Sequence, residues 1–182
     1  MGMSPVQALG WRSEDTQASR FAALCRWGDL TGKSILDLGC GYGDLKTFLD
    51  SHFNHFAYIG VDFLPEFVAT AKKTFSNRPD TQFFLLDFLN AEFPQVDVIM
   101  ASGSLNYRCA DPLHPFQVIR QMWESAKMGV AFNLLNAREH GAEKLLQAYE
   151  PNTVLDFCRQ MDPDAELVMG YHPEDFTLLM RR

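Results

Sequence analysis

The chain has 182 residues, 47% of them hydrophobic, which suits one domain that buries an ordinary core without metal or disulfide staples. Its formal net charge of −7 lacks the basic field that sequence-independent phosphate binding requires, and this argues against free DNA or RNA as a partner. A small molecule is therefore favoured over a nucleic acid as the ligand.

The first residues and the cysteines indicate where the protein works. Residues 1–15 have no basic region followed by an apolar run, and no stretch approaches the roughly 20 apolar residues of a membrane span. The cysteines are scattered, with no CxxC pair and no histidine cluster beside them, so neither a metal site nor a disulfide framework is predicted. They are Cys25, Cys40, Cys109 and Cys158. We expect a soluble, unexported, cytoplasmic protein with reduced thiols.

Short apolar runs alternate with stretches of helical spacing, which predicts a parallel sheet covered by helices. A lead helix with an apolar stripe from Ala18 to Cys25 precedes the first strand. Five runs are typical of parallel strands buried on both faces, namely residues 34–38, 57–61, 82–86, 96–100 and 129–134. The crossover helices between them are predicted from the apolar stripes at 45–49, 67–75 and 116–126.

After residue 134 the order of elements changes. Apolar residues from Ala142 to Tyr149 have helical spacing, and those from Val154 to Met161 predict a second helix. Two apolar runs then flank the short turn at 171–174, too close together for a helical crossover, and so predict an antiparallel hairpin. The sheet should therefore end with one reversed strand.

Residues 35–45, ILDLGCGYGDL, lead from a buried strand through a glycine-rich turn into a helix. Glycine permits positive φ and close approach of a ligand to the main chain, at the strand end where open α/β sheets bind ligands. The spacing is GxGxG, not the GxGxxG of dinucleotide sites, and Asp44 at the helix start opposes a pyrophosphate. The candidate ligand contacts are Gly39, Cys40, Gly41 and Gly43. The alternative is a tight strand–helix turn that binds nothing.

Two aspartates follow the next two strands, at the same predicted sheet edge as the glycine turn. Asp62, after the second strand, can accept both hydroxyls of a ribose, and Asp87, after the third, can accept from an exocyclic amine such as that of adenine. Phe63 and Phe88 can supply apolar faces for the base. Each aspartate alone also fits a helix cap or a turn. Their combination with the glycine turn favours an adenosine-containing ligand.

Four motifs together resemble the class I S-adenosylmethionine-dependent methyltransferases. They are ILDLGCGYGD at 35–44, GVD at 60–62, LLDF at 85–88 and VDVIMASGSLN at 96–106. The resemblance implies S-adenosylmethionine as cofactor and one domain over residues 1–182, with 1–33 as its lead helix segment. The implied fold is a doubly wound, Rossmann-like α/β sheet of seven mostly parallel strands in the order 3-2-1-4-5-7-6. Its last strand is antiparallel, and helices cover both faces.

The resemblance also implies residue roles in cofactor binding. Asp37 would help to hold the methionine amino end, and the glycine loop would pass beneath the cofactor. Asp62 would bind the ribose, and Asp87 with Phe88 would bind adenine. The lead helix, with Gln17, Arg20 and Phe21, resembles the segment that covers the cofactor in small bacterial members.

On the same resemblance, Ser102 and Gly103 lie beside the methionine end, so the loop after them should border the transferred methyl. This loop lacks the Asn/Asp-Pro-Pro-Tyr/Phe motif of amino-methylating DNA and glutamine enzymes, and the acidic residues of aminopropyl transferases. The connection after the fifth strand and the hairpin turn reach the same edge. The acceptor-side candidates are Asn106, Tyr107, Arg108, Arg138, His140, Tyr171 and His172. Each of them also fits an ordinary loop or structural role, and a general base is needed only if the nucleophile begins protonated.

The first interpretation is thus a monomeric or homodimeric methyltransferase with a small-molecule acceptor. An alternative is a non-catalytic regulatory or partner module that binds S-adenosylmethionine or S-adenosylhomocysteine, which turnover would distinguish. A nicotinamide-dependent oxidoreductase is a third interpretation, which cofactor binding would distinguish.

Overall fold

The structure is a computed structural model that describes residues 14–88, 90–141 and 143–182. Within these ranges the helices are α1 Glu14–Cys25, α2 Asp44–Asp50, α3 Pro65–Thr74, α4 His114–Ser125 and α5 Pro151–Arg159. The strands are β1 Ser34–Leu38, β2 Ala57–Asp62, β3 Thr81–Leu85, β4 Val96–Ser102, β5 Ala126–Leu135, β6 Glu166–Val168 and β7 Asp175–Arg181. A 3-10 helix covers Ser104–Asn106. No helix in the described ranges combines the length and apolar character of a membrane span.

The seven strands form one sheet in the order β3-β2-β1-β4-β5-β7-β6. Strands β1 to β5 pair in parallel, whereas β7 is antiparallel to both β5 and β6. Short apolar strands separated by helices give this arrangement because parallel neighbours need a long crossover connection, while the hairpin partners β6 and β7 do not. The predicted fold class, strand order and reversed strand are confirmed.

Apolar cores cover both faces of the sheet. Successive residues of β1, Ile35 and Leu36, belong to different buried clusters, as do Val98 and Ile99 in β4, so the two clusters lie on opposite faces. One cluster includes side chains of α4 and α5, and the other includes side chains of α1, α2 and α3. The central strands β1, β4 and β5 are covered on both sides over most of their length, so their sequences are nearly continuous apolar runs. The expectation of burial on both faces is wrong for β3, because this strand lies at the edge of the sheet and leaves Gln82, Phe84 and Leu85 exposed.

Several element boundaries differ from the sequence prediction by a few residues. β3 begins at Thr81, one residue earlier than expected, and β4 continues to Ser102. Ala126 was predicted to belong to a helix but begins β5, because it pairs with Val96 of β4. Met161 lies beyond the end of α5.

The predicted helix across residues 142–149 is wrong. The segment is irregular and pairs with two loops: Leu146 forms an antiparallel bridge with Tyr107, and Tyr149 a parallel bridge with Asn136. The backbone N–H of Gln147 donates to the Asn106 carbonyl at 2.7 Å. These long-range hydrogen bonds take up backbone groups that a helix would pair locally. Residue 142 lies outside the described ranges.

Candidate active site

A cavity of about 260 Å³ lies at the carboxyl ends of β1, β2 and β4. Its position is a topological switch point, because β1 has β2 on one side and β4 on the other, and open α/β sheets bind ligands in that crevice. Most of the predicted cofactor residues line it: Asp37, Gly39, Cys40, Gly41, Asp62, Phe63, Phe88, Ser102 and Gly103. Gly43 and Asp87 are not part of its lining.

The glycines of the turn have left-handed backbones, with φ of 77° at Gly39, 55° at Gly41 and 87° at Gly43. Such values favour glycine over any residue with a side chain. A Cβ on Gly39 would lie 2.3 Å from the Cβ of Ser104, and one on Gly43 would lie 2.6 Å from the Phe75 ring. Glycine is therefore required at these two positions by backbone conformation and by neighbouring side chains.

Asp62 connects the end of β2 to the glycine turn. Its Oδ2 accepts from the backbone N–H of Gly41 and its Oδ1 from that of Leu64, both at 3.0 Å. The residue is 5% exposed and lines the cavity. Because an ionised carboxylate has about four lone-pair sites, these two bonds orient Asp62 and leave capacity for ligand hydroxyls.

Asp37 is a buried acid near the end of β1, two residues before Gly39. The Tyr58 hydroxyl on β2 donates to its Oδ2. Burial raises the pKa of Asp37 to about 7, the Tyr58 hydrogen bond acts in the opposite direction, and the charges of Asp62 and Asp44 add to the rise. Burial also raises the pKa of the Cys40 thiol, so this thiol is protonated and acts as an apolar wall.

Two phenylalanines line both this cavity and a second one. Phe88 is buried and Phe63 is 54% exposed, and both line the first cavity and an adjoining cavity of about 490 Å³. Asp87 lines only the second cavity, where the side chain of Asn90 donates to its Oδ2 at 2.9 Å. The predicted adenine acid thus lies in the second cavity, next in sequence to Phe88, which lines both.

Helix α1 forms one wall of the first cavity through Gln17, Arg20 and Phe21. The Gln17 side chain donates to Asp44 Oδ2 at 3.1 Å. Arg20 makes a bidentate ion pair with Asp175 of β7, with both N–O distances at 2.7 Å. The lead helix is therefore tied beside the cavity at two positions, to α2 through Gln17 and to the sheet through Arg20.

Three acceptor-side candidates line a cavity. Asn106 lines the first cavity, but its Nδ2 donates to the Gly103 carbonyl at 3.2 Å and its Oδ1 accepts from Leu135 N–H at 2.9 Å. Asn106 therefore shapes the loop. Tyr107 is 47% exposed and lines both cavities, whereas Arg108 lines only the second.

Arg138 and His140 line neither cavity. Arg138 is exposed and pairs with Glu150, and the Arg138 Nε to Glu150 Oε2 distance is 3.0 Å. The His140 side chain is 4% exposed, and its Nδ1 lies 3.2 Å from Glu174 Oε2. Both residues join the loop after β5 to neighbouring chain segments.

The hairpin residues Tyr171 and His172 also line neither cavity. Thr177 Oγ1 donates to the Tyr171 hydroxyl at 2.8 Å. His172 Nδ1 lies 2.9 Å from Asp175 Oδ2, on the same carboxylate that binds Arg20. These two side chains contact β7 and the buried ion pair.

Sequence reasoning missed a buried polar row that crosses three strands. Ser102 Oγ donates to Asn133 Oδ1 at 2.8 Å, and Asn133 Nδ2 donates to Thr177 Oγ1 at 2.6 Å. The three residues are register partners on β4, β5 and β7, and Ser102 lines the cavity. The available signal was a single polar residue inside each of two apolar runs, because buried polar groups need hydrogen-bonding partners.

A profile of the methyltransferase-domain family matches residues 35–129, more than half of the chain. The chain belongs to this family. The match begins in β1 and ends in β5, so it includes the glycine turn and both strand-end aspartates. The resemblance to the class I S-adenosylmethionine-dependent methyltransferases is confirmed: the chain is a methyltransferase, and S-adenosylmethionine is its cofactor.

Relatives of known sequence and structure agree with this membership. The protein Rv1506c of Mycobacterium tuberculosis, named as a methyltransferase, is 29% identical over 160 residues, covering 82% of this chain and 93% of that one. Magnesium protoporphyrin IX methyltransferase from Synechocystis PCC 6803 superposes with a TM-score of 0.72 at 12% identity, over 100% of this chain and 90% of that one. A SAM dependent methyltransferase from Aquifex aeolicus has a TM-score of 0.69 at 13% identity, over 99% of each chain. The two solved structures share the fold of the methyltransferase.

Proposed function

We propose that this methyltransferase transfers the methyl group of S-adenosylmethionine to a small-molecule acceptor, with the cofactor in the 260 Å³ cavity. The observation that carries the proposal is that Asp37, Asp62 and the glycine turn meet in that cavity at the switch point of the sheet. The Synechocystis enzyme, which shares the fold, was crystallised with bound S-adenosylhomocysteine.

The charges of the cavity lining fit the cofactor. Asp37, Asp44 and Asp62 line it, and in the described ranges the one cation of its lining, Arg20, is paired with Asp175. S-Adenosylmethionine carries two positive groups, a sulfonium and an α-ammonium, and acidic side chains in a partly buried site stabilise such groups. The same acids disfavour the pyrophosphate of a dinucleotide.

Each cofactor-binding residue has a role that follows from its position. Asp62, oriented by two backbone N–H groups, would accept from the ribose hydroxyls. Asp37 would bind the α-ammonium. Phe63 and Phe88 would contact the adenine faces, and Asp87, at the border of the second cavity, would accept from the exocyclic amine. Gly39 and Gly41 would let the main chain approach the ligand.

The main contribution of the protein to the reaction is to position the acceptor and the cofactor. Bound S-adenosylmethionine supplies a methyl group on an excellent leaving group, so alignment of the acceptor and exclusion of water can supply much of the rate. Leu135, Leu146 and Tyr107 form an apolar wall of the cavity. All five histidines lie in the described ranges, and none lines this cavity. A histidine base could therefore reach the acceptor only from the adjoining cavity, which His114 lines.

We also propose a cytoplasmic monomer or homodimer in which residues 1–182 form one domain. The four cysteines are free thiols, which agrees with a reducing compartment. A net charge of −7 agrees with a small acceptor rather than a nucleic acid.

Calorimetry tests the cofactor site. S-Adenosylmethionine and S-adenosylhomocysteine should bind, and NAD should not. Asp62→Asn should lower the affinity for S-adenosylhomocysteine by roughly ten- to hundredfold, because charge-assisted hydrogen bonds contribute about 1.5–3 kcal/mol. Asp80→Asn is the matched control, since Asp80 is an exposed acid before β3 and lines neither cavity.

Tighter binding of NAD than of S-adenosylhomocysteine would contradict the placement of the cofactor. Unchanged affinity in a folded Asp62→Asn variant would show that Asp62 serves only the turn. A screen of metabolites with methyl-labelled cofactor then identifies the acceptor. Conversion to S-adenosylhomocysteine in that screen separates an enzyme from a module that binds the cofactor without turnover.

A further inference from the structure

Tyr58 is a buried tyrosine whose hydroxyl reaches the cofactor site from the neighbouring strand. It is 1% exposed, and its hydroxyl donates to Asp37 Oδ2. The register partner of Asp37 on β2 is Gly60, two residues after Tyr58. Because Tyr58 and Gly60 are two residues apart and so share one face of β2, the hydroxyl lies on the same face of the sheet as Asp37 and can reach its carboxylate across the two strands. Tyr58 itself does not line the cavity.

The charged groups around Asp37 oppose its ionisation. Asp62 faces it from β2 and Asp44 from α2, and both raise the pKa of Asp37 in addition to burial. From α1, Arg20 lines the same cavity but is paired with Asp175. From the glycine turn, Cys40 contributes a protonated thiol. The Tyr58 hydroxyl is the group that lowers the pKa of Asp37.

We propose that Tyr58 is a positioning residue of the cofactor site, whose hydroxyl keeps the Asp37 carboxylate ionised and oriented toward the α-ammonium of the cofactor. The proposal rests on the proposed function, since it needs that ammonium beside Asp37. A protonated Asp37 offers the ammonium no negative charge. Without the hydroxyl, more of Asp37 is protonated in the pH range where it titrates, and the affinity for the ammonium-bearing ligand falls there. At higher pH Asp37 is ionised in both proteins, and the affinity is nearly unchanged.

The affinity for S-adenosylhomocysteine should depend on pH through Asp37. Burial raises the pKa of Asp37 to about 7 without ligand, and a bound ammonium lowers it because it stabilises the ionised form. Binding then releases a proton below that pKa, so affinity for the ammonium-bearing ligand rises as pH increases through about 7. Without the Tyr58 hydrogen bond the midpoint moves to higher pH.

The experiment compares two ligands by calorimetry between pH 6 and pH 8.5. S-Adenosylhomocysteine carries the amino acid end, whereas 5′-methylthioadenosine has only the adenosine portion. For Tyr58→Phe the S-adenosylhomocysteine midpoint should rise by about one pH unit. Affinity should then fall about tenfold at pH 6.5 and less than about twofold at pH 8.5. Methylthioadenosine affinity should be flat with pH and equal in both proteins.

Tyr149→Phe is the matched control, because it also loses one hydroxyl, while the Tyr149 ring packs against Phe116 and lines neither cavity. The affinity of Tyr149→Phe for S-adenosylhomocysteine should depend on pH as that of the wild type does. If Tyr58→Phe fails to fold, uniform 3-fluorotyrosine substitution replaces it. Fluorination makes the hydroxyl a stronger donor, and the S-adenosylhomocysteine midpoint should then move to lower pH.

Curves of equal midpoint for Tyr58→Phe and wild type overturn the proposal, as does an unchanged midpoint in the fluorotyrosine protein. An equal shift for methylthioadenosine also overturns it, because that ligand has no group for Asp37. If wild type binds no S-adenosylhomocysteine at any pH, the proposed function itself fails.

Discussion

Gly39 is a residue at which backbone conformation and packing require the same amino acid. Its φ of 77° lies in the left-handed region, and an added Cβ would lie 2.3 Å from the Ser104 Cβ. Ser104 is also fixed in place, because its hydroxyl donates to the Leu38 carbonyl at 2.5 Å. The loop after β4 therefore packs directly on the glycine turn.

Gly39→Ala should lower the free energy of unfolding by about 2–5 kcal/mol. Left-handed φ costs a residue with a side chain about 1–2 kcal/mol, and overpacking costs about 1–3 kcal/mol. Urea denaturation measures the change. Gly170→Ala is the control, because Gly170 has a φ of 84° but nothing within 4 Å of an added Cβ, so only the conformational cost remains.

Adding Ser104→Gly to Gly39→Ala should recover the packing part of the loss and leave the conformational part. If Gly39→Ala is no more destabilising than Gly170→Ala, the contact with Ser104 does not constrain this position.

Residues of the site differ in how far the sequence reveals them. Asp37, Asp62, and the glycines at 39 and 41 lie at or near strand ends, where a ligand site is expected, and the structure brings them to one cavity. Tyr58 and Asn133 lie inside strands and look like ordinary core positions. Their partners belong to neighbouring strands, so their roles depend on sheet register, which the sequence pattern did not specify.

At the scale of elements, α1 is fastened to β7 by a buried ion pair. Asp175 is 1% exposed and Arg20 13%, and the pair is bidentate. Removal of one partner leaves a buried charge that has lost its main counter-ion, which costs far more than loss of an exposed pair. The helix that walls the cavity is therefore held by an interaction whose energetic effect can be measured.

Arg20→Met should lower the free energy of unfolding by about 3–5 kcal/mol, by urea denaturation. The control is Arg26→Met, just after α1, which removes an exposed pair with Glu166 and should cost less than about 1 kcal/mol. The double variant Arg20→Met, Asp175→Asn should lose less than the sum of the single changes. Additive losses, or equal losses for Arg20→Met and Arg26→Met, would contradict the importance of the pair.

Elements were predictable where local pattern and long-range pairing agree. The five apolar runs became β1 to β5, and in the central strands β1 and β4 the run is apolar because both faces are buried. The segment 142–149 has helical spacing as well, yet Leu146 and Tyr149 pair with Tyr107 and Asn136. Spacing alone contains no information about such distant backbone partners, and this is why the helix prediction failed.

At the scale of the whole molecule, the two apolar clusters share one sheet. Every strand from β1 to β5 contributes to the packing of the continuous seven-stranded sheet, and no described segment forms a separate core. Neither cluster can keep its packing if the sheet is lost. We therefore expect the described residues to unfold as a single cooperative unit.

Thermal unfolding should therefore show one transition, with equal calorimetric and van't Hoff enthalpies. Saturating S-adenosylhomocysteine should raise the midpoint of that same transition, because a ligand that binds only the folded state stabilises all of it. Differential scanning calorimetry makes both measurements, with NAD as the ligand control. Two separated transitions, or a ligand shift in only one of them, would contradict a single domain.

The polar row across β4, β5 and β7 determines how the last strand can align. Residues 176–180 of β7 are buried on both faces, so a slip of one residue would exchange one apolar face for another with little hydrophobic cost. The slip would, however, place an apolar residue opposite Asn133 and leave its buried amide without Thr177, at a cost of about 1–3 kcal/mol. The hydrogen bond between Asn133 and Thr177, together with the ion pair of Asp175 with Arg20, thus distinguishes the correct alignment of β7 from an equally apolar misalignment.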